Sequence, residues 1–431
     1  METQELSEDL IGDRPLSNPS KDRLGHAGFA EKLAESLCQM PLSASLTIGL
    51  YGSWGSGKTT LVNFLEYYLQ EQTQGKTLSV MHFNPWLFSG AQDLTQQFFE
   101  QLLQQLETRS KTSKDLREKI YNFAESLGDA SFPLASGSKV FANLFKPPLD
   151  VNELKAEIET GLKEQQKPIL VIIDDIDRLA PQETAQLFRV IAAVANFPKL
   201  IYLLLLDREV VINGLTQILH IPGQAYLEKI IQVPLTMPIC DRDSLRQLLQ
   251  ENLDFIFAEE SAEIKQDWNQ VLRESIAYFL KNPRDIGRLA STLRITYTFV
   301  QAQVNPVDFV ALEALRLFCL PIYDLIRRHP DAFLKPSPYN LDRQFYETSL
   351  DTIPRSQQEP TQKLLVYLFP KLKGLWQSPL TRHANEPGIG LGDREAFSRY
   401  FQLAAPRTEK GMAAPCPPGI TEQSKPDKAT N

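Results

Sequence analysis

Cysteine is sparse: Cys38, Cys240, Cys319 and Cys416 lie far apart, with no CxxC pair and no histidine at ligand spacing. That scatter argues against a zinc site or a disulfide framework, and a reducing cytoplasmic setting is expected. Positive charge is short as well. With 45 Lys and Arg against 53 Asp and Glu, the net charge is −8, which argues against a general nucleic-acid footprint, although a local basic face would not show in the sum. Long apolar runs are missing too, since no window reaches the roughly 18 uncharged apolar residues of a spanning helix. The apolar stretch 309–326 is interrupted by Glu313, Arg316 and Asp324, so it reads as an amphipathic or buried helix. The opening residues are acidic and lack a basic-then-apolar export signal. Residues 130–145 are small and apolar but short and broken by Lys139, which leaves peripheral membrane contact open.

What is present is an ordinary globular composition, 42% hydrophobic and 23% charged over 431 residues, enough for two or three domains with real cores. The most informative stretch is Gly52-Ser53-Trp54-Gly55-Ser56-Gly57-Lys58-Thr59, set between the β-rich run 46–51 and a helical pattern opening near Thr60. Glycines at this spacing let backbone N–H groups wrap a phosphate, Lys58 reaches the β and γ oxygens, and the Thr59 hydroxyl suits a Mg²⁺ shell. The following helix N-terminus adds positive potential. Gly52, Gly55, Ser56, Gly57, Lys58, Thr59 and Thr60 are therefore the expected nucleoside-triphosphate contacts.

Strands and helices alternate beyond this loop. A half-alternating run at 77–84 ends in Pro85-Trp86, helical spacing follows over 92–106, and residues 128–148 turn Gly-, Ser- and Pro-rich, as an insertion between core elements would. Continuous apolar runs at 168–173 and 199–206 mark central strands covered on both faces. A short helix near 226–231 leads to a last strand, and the alternation predicts a parallel α/β sheet. From 238 the pattern is helical only, over 241–253, 263–280, 283–300 and 306–328. The expected organisation is a flexible segment 1–19, a nucleotide-binding core 20–237 with an insertion near 125–150, an α-helical lid 238–330, a helical extension 331–404 and a disordered tail 405–431.

Asp174 ends the run 168–173, at the edge where an open α/β sheet presents its ligand, and is the candidate for ordering metal-bound water. Asp175 and Asp177 stand beside it in Asp174-Asp175-Ile176-Asp177-Arg178. A second carboxylate there takes a proton from an attacking water, or else caps the next helix or pairs with Arg178. Asp207 ends the next strand, either sensing the γ-phosphate or capping a helix. Arg284 opens a helix of the all-α part. Its guanidinium either folds over the site to stabilise charge on the γ-phosphoryl group or pairs with Asp285 or another neighbour. Trp54 reads as a packing residue, and His82 as core or near-site.

In order along residues 9–330, the Asp22/Phe29/Leu33 entry helix, the Trp-bearing phosphate loop, Phe83-Asn84-Pro85-Trp86, the Asp-Asp-x-Asp-Arg cluster, Tyr226-Leu-Glu-Lys-Ile-Ile-Gln-Val-Pro234 and Asn282-Pro283-Arg284 resemble the KAP family of P-loop NTPases. The loop alone would be generic, and the ordered set is far more specific. The resemblance implies an additional-strand (ASCE-type) core with an α-helical lid, ATP and Mg²⁺ as ligands, and slow hydrolysis. By the same carry-over Lys58 and Thr59 hold phosphate and metal, Asp174 orders the metal water and Asp175 is the base. Family members resemble signalling or defence switches, many carry spanning helices between the phosphate loop and the acid strand, and some bacterial members are linked with exclusion of phage. The stretch 125–150 lacks such helices here, and the chain reads as soluble.

The leading expectation is an ATPase switch with an unknown protein partner, a homo-oligomer being open. A nucleotide-gated scaffold with negligible turnover is the alternative. A small-molecule kinase and a DNA-dependent motor rank below both.

Overall fold

The computed structural model describes residues 14–41, 43, 45–73, 78–90, 94–106, 111–128, 149–335, 343–383 and 389–401. The expected insertion near 125–150 with its candidate membrane-contacting stretch, the tail 405–431 and the first 13 residues of the N-terminal segment fall wholly or mainly outside them.

Five parallel strands form one sheet: β1 (Leu46–Tyr51), β2 (Ser79–Phe83), β3 (Ile169–Ile173), β4 (Leu200–Leu206) and β5 (Val233–Thr236), in the spatial order β2-β3-β4-β1-β5. The order places β4 between the strand that feeds the phosphate loop and the strand that leads into Asp174, which is the additional strand that the family resemblance implied. Register aligns Ile173 with Leu204 and Tyr51 with Leu206, so the β1, β3 and β4 tips finish at one edge of the sheet. Every residue of β3 and β4 is buried. Their side chains divide strictly by parity. Ile169, Val171, Ile173, Tyr202 and Leu204 enter one apolar cluster, while Leu170, Ile172, Ile201, Leu203 and Leu205 enter the other. This is why their sequence reads as unbroken apolar runs.

Helix His26–Cys38 packs with helix Lys58–Thr73 on one face. Leu94–Gln105, Lys111–Gly128, Leu149–Lys163, Pro181–Val194, Arg208–Leu219 and Gly223–Ile230 supply the other, with Phe98, Ile120, Ile158, Phe188, Leu215 and Tyr226 in its cluster. Beyond β5 the described chain is helical, and one apolar cluster runs through it from Leu245 to Tyr400.

Several elements end differently from the sequence reading. The 306–328 pattern is two helices, Pro306–Phe318 and Leu320–Arg328. Pro321 has no N–H to continue the first, and the chain leaves helical geometry at Cys319 (φ −137°, ψ 53°). Pattern 263–280 stops at Glu274 and 283–300 at Thr296, each followed by a single 3₁₀ turn. Helix Lys111–Gly128 was not anticipated, although Leu116, Ile120, Phe123 and Ala124 give it one apolar face.

Candidate functional site: a phosphate loop facing an acid strand

The loop after β1 is anchored where Gly52 N–H donates to Leu206 O (3.1 Å). Gly55 and Gly57 have φ of 81° and 93°, the left-handed region open to glycine, in which successive amides turn toward one concave side. Neither could carry a side chain. A Cβ on Gly55 would lie 2.6 Å from Arg284 Cβ, and one on Gly57 2.8 Å from the His26 ring. Lys58 begins the following helix and is buried, its Nζ donating to Gly52 O (2.8 Å) and Ser53 O (3.4 Å) and standing 3.5 Å from Asp177 Oδ2. The Ser56 hydroxyl is buried without a hydrogen-bond partner, and a Cβ on Gly52 would lie 2.6 Å from it.

Thr59 and Asp174 meet although the chain separates them widely. Thr59 Oγ1 donates to Asp174 Oδ2 at 3.0 Å, because β1 and β3 end at the same sheet edge. Burial raises the pKa of Asp174. Its accepted bond from Asp175 N–H, its bond with Thr59 and the Lys58 charge oppose that, while the Asp175 charge adds to it. Thr60 also lines the cavity, but its hydroxyl accepts from Leu16 N–H (3.2 Å), tying the loop helix to the N-terminal segment.

Asp175 has a left-handed backbone (φ 57°, ψ 28°) and does not cap the next turn with its side chain. Its Oδ1 pairs with Arg178 Nε (2.7 Å) and its Oδ2 accepts from Asn84 Nδ2 (2.8 Å). Of the two structural roles left open beside that of base, capping and pairing with Arg178, this conformation adopts the pairing. Asp177 turns to Lys58 instead. Asp207 is a cap, accepting from Glu209 N–H at 3.2 Å. His82 is half exposed and bound to Glu66 (2.7 Å), whose hydrogen bond is the chief cause of its raised pKa.

Helix Pro283–Thr296 brings Arg284 to the loop. Asn282 caps this helix through Asp285 N–H (3.1 Å) and donates to Trp54 O (3.3 Å), and the Arg284 guanidinium lies 5.1 Å from the Trp54 ring. Asp285 Oδ2 accepts from Lys281 N–H (2.9 Å). Trp54, expected to pack, is 51% exposed and lies against guanidiniums. A cavity of about 760 Å³ joins these parts, lined by Lys58, Thr59, Asp174, Asp175 and Arg284, by the 14–24 segment and by Leu248 and Phe255 of the helical part. Its size and mixed walls suit a nucleotide-sized ligand. Asn84 and His26 were not singled out as site residues, and Asp177 was weighed only as a second carboxylate beside Asp174. Asn84 stood in a quoted motif; nothing in the sequence pointed Asp177 at Lys58.

No helix among the described residues is long and apolar enough to cross a membrane, and among them no cluster of three or more His, Cys, Asp or Glu forms a metal site. Among proteins of known role, the phage T7 exclusion protein of Escherichia coli (strain K12) is 27% identical over 348 residues, 72% of this chain and 47% of that protein. The chain thus spans about half the length of that relative. Among solved structures, Drosophila ORC bound to DNA is 14% identical, with 88% of this chain and 80% of that one covered and a TM-score of 0.43. Cdc6p from Pyrobaculum aerophilum is 15% identical, with 88% and 92% covered and a TM-score of 0.39. Neither likeness extends to function. The model of the KAP family P-loop domain matches residues 26–300, more than half of the chain, and the chain belongs to that family.

Proposed function

We propose that this chain binds ATP with Mg²⁺ and hydrolyses it slowly, and that movement of its helical region 238–330 against the triphosphate makes it a nucleotide-driven switch. The observation that carries the reading is the 3.0 Å meeting of Thr59 Oγ1 with Asp174 Oδ2 beside the buried Lys58. A hydroxyl and a carboxylate are hard oxygen donors, a fit for Mg²⁺, which keeps several waters and takes few protein ligands. When bound, the ion would neutralise charge on the β and γ oxygens. Gly52 to Thr60 would wrap the phosphates, with Lys58 releasing its loop carbonyls to meet the β and γ oxygens. Asp174 would order the metal's water shell. Asp175 would accept the proton of the attacking water, and Arg284 would offset charge growing on the γ-phosphoryl group.

A scaffold in which ATP is held with negligible turnover is the second reading. It is favoured by the engagement of both Asp175 oxygens, with Arg178 and Asn84. Single-turnover hydrolysis with Asp175→Asn as control separates the two. A switch releases phosphate in wild type, and the variant loses at least about tenfold in rate while still binding Mg·ATP, since a positioned base contributes roughly 10²–10⁴. Binding without phosphate release in wild type selects the scaffold. Lys58→Ala should lose nucleotide affinity, and no Mg-dependent affinity in wild type sinks both readings.

The cellular setting follows only from kinship. The relative is named for phage T7 exclusion, so phage defence is the setting to test, by plating efficiency with wild type and Lys58→Ala. The protein partner and any homo-oligomer are tested by light scattering with ATP, with ADP and with neither. Stimulation of turnover by DNA at low salt would bring back a nucleic-acid partner.

A further inference from the structure

Arg178 has no role in the chemistry above, yet it touches three parts of the site. Its Nε is 2.7 Å from Asp175 Oδ1. Its guanidinium carbon lies 5.0 Å from the ring of Trp54, in the phosphate loop, and 4.8 Å from the ring of Trp86, in the turn after β2. That turn also provides Asn84, which holds the other Asp175 oxygen and accepts from Trp86 N–H at 3.1 Å. Neither indole belongs to an apolar cluster of the core, and each is about half exposed, Trp86 at 45%. Two tryptophans left in solvent with one guanidinium against both rings are poor core material but a defined mount for a planar cation. What the mount holds is an aspartate in a left-handed conformation (φ 57°), uncommon outside glycine, asparagine and aspartate.

We propose that Arg178 is a positioning residue for Asp175, and that Trp54 makes its hold depend on the state of the phosphate loop. The indole follows whatever fills the loop, the guanidinium follows the indole, and the aim of the carboxylate follows the guanidinium. Arg284, 5.1 Å from the same indole, connects the helical region to this chain of contacts. The proposal rests on the reading of Asp175 as the base.

The test uses the full chain with Arg178→Ala, Arg178→Lys and Trp86→Ala. Arg178→Ala should keep Mg·ATP affinity within about threefold of wild type while its single-turnover rate falls about tenfold or more, a kcat effect without a KM effect. Lysine keeps the charge but neither the planar fork nor its stack, so Arg178→Lys should not rescue the rate. Trp86→Ala should slow wild type yet cost nothing further in the Arg178→Ala background, since both act through one contact. A wild-type rate in Arg178→Ala, or a loss that tracks affinity, overturns the proposal, and so does full additivity with Trp86→Ala. A non-hydrolysable ATP analogue should also change tryptophan emission in wild type and much less in Arg178→Ala. Should wild type bind Mg·ATP without turnover, hydrolysis falls as a function, and an emission change unaltered by Arg178→Ala then overturns the coupling by itself.

Discussion

The His26 ring lies under Gly57 of the phosphate loop with 2% of its surface exposed. Burial lowers its pKa, and the Asp22 charge pulls weakly the other way. The folded value thus lies below the unfolded one of about 6.5. Between the two the unfolded chain binds more protons, so this residue costs stability as pH falls through 6.5 toward the folded pKa. The melting temperature should drop from pH 7.5 to pH 5.5 by less in His26→Gln than in wild type; an equal drop in both would assign the effect elsewhere. The same contact sets the cost of Gly57→Ala. A positive φ of 93° and a Cβ 2.8 Å from the ring should together destabilise by more than about 1 kcal/mol, measured by urea unfolding, and should weaken nucleotide binding. At this scale the sequence was informative where chemistry is local: glycine spacing implied a loop that turns its amides inward, and Thr59 was named beside Asp174, which it meets at 3.0 Å. It was silent where a partner comes from afar, as with Asp177 on Lys58 or His26 under the loop, because those pairings depend on packing rather than on spacing.

Elements were legible in proportion to how fully one physical rule decided them. β3 and β4 are covered on both faces, so unbroken apolar runs sufficed to find them, and the acid just beyond β3 marked the sheet edge that faces the phosphate loop. The 306–328 pattern misled because apolar periodicity persists across Pro321, while the missing N–H, which periodicity does not register, breaks the helix. Helix Pro283–Thr296 shows an element serving the site. Its Asn282 cap satisfies Asp285 N–H and also reaches Trp54 O, so one side chain both starts the helix and joins it to the phosphate loop. Asn282→Ala should cost about 1 kcal/mol of stability through the lost cap, read by urea unfolding. Asn282→Asp keeps the cap acceptor but not the amide donor to Trp54. It should therefore hold most of the stability while altering nucleotide affinity, whereas equal behaviour of the two variants would deny the loop contact any role.

Over the whole molecule, the helical part is held to itself by charges that no motif announced. Asp308 and Asp267 are fully buried. Asp308 accepts from Arg382 (2.5 Å) and from Leu391 N–H (2.8 Å), and Asp267 takes His383 through both Nδ1 (2.7 Å) and backbone N–H. Burial raises the pKa of Asp308, and the adjacent Arg382 charge opposes it. Segment 380–383 is thereby pinned onto helices Ala262–Glu274 and Pro306–Phe318. Removing one partner strands a buried charge, which typically costs about 3–5 kcal/mol, whereas removing both is far milder. Arg382→Met should accordingly lower the urea midpoint sharply, and Asp308→Asn with Arg382→Met should recover much of the loss. The sheet has its own two clusters, so in Arg382→Met the helical part should unfold first, with circular dichroism showing two steps. The nucleotide cavity is walled by both parts. Saturating Mg·ATP at about 100 times its Kd should then add about 2.7 kcal/mol to whichever step destroys the site. If that step is the first, the helical region is part of the binding site; if only the second moves, nucleotide is held by the sheet and loop alone and the switch loses its moving half.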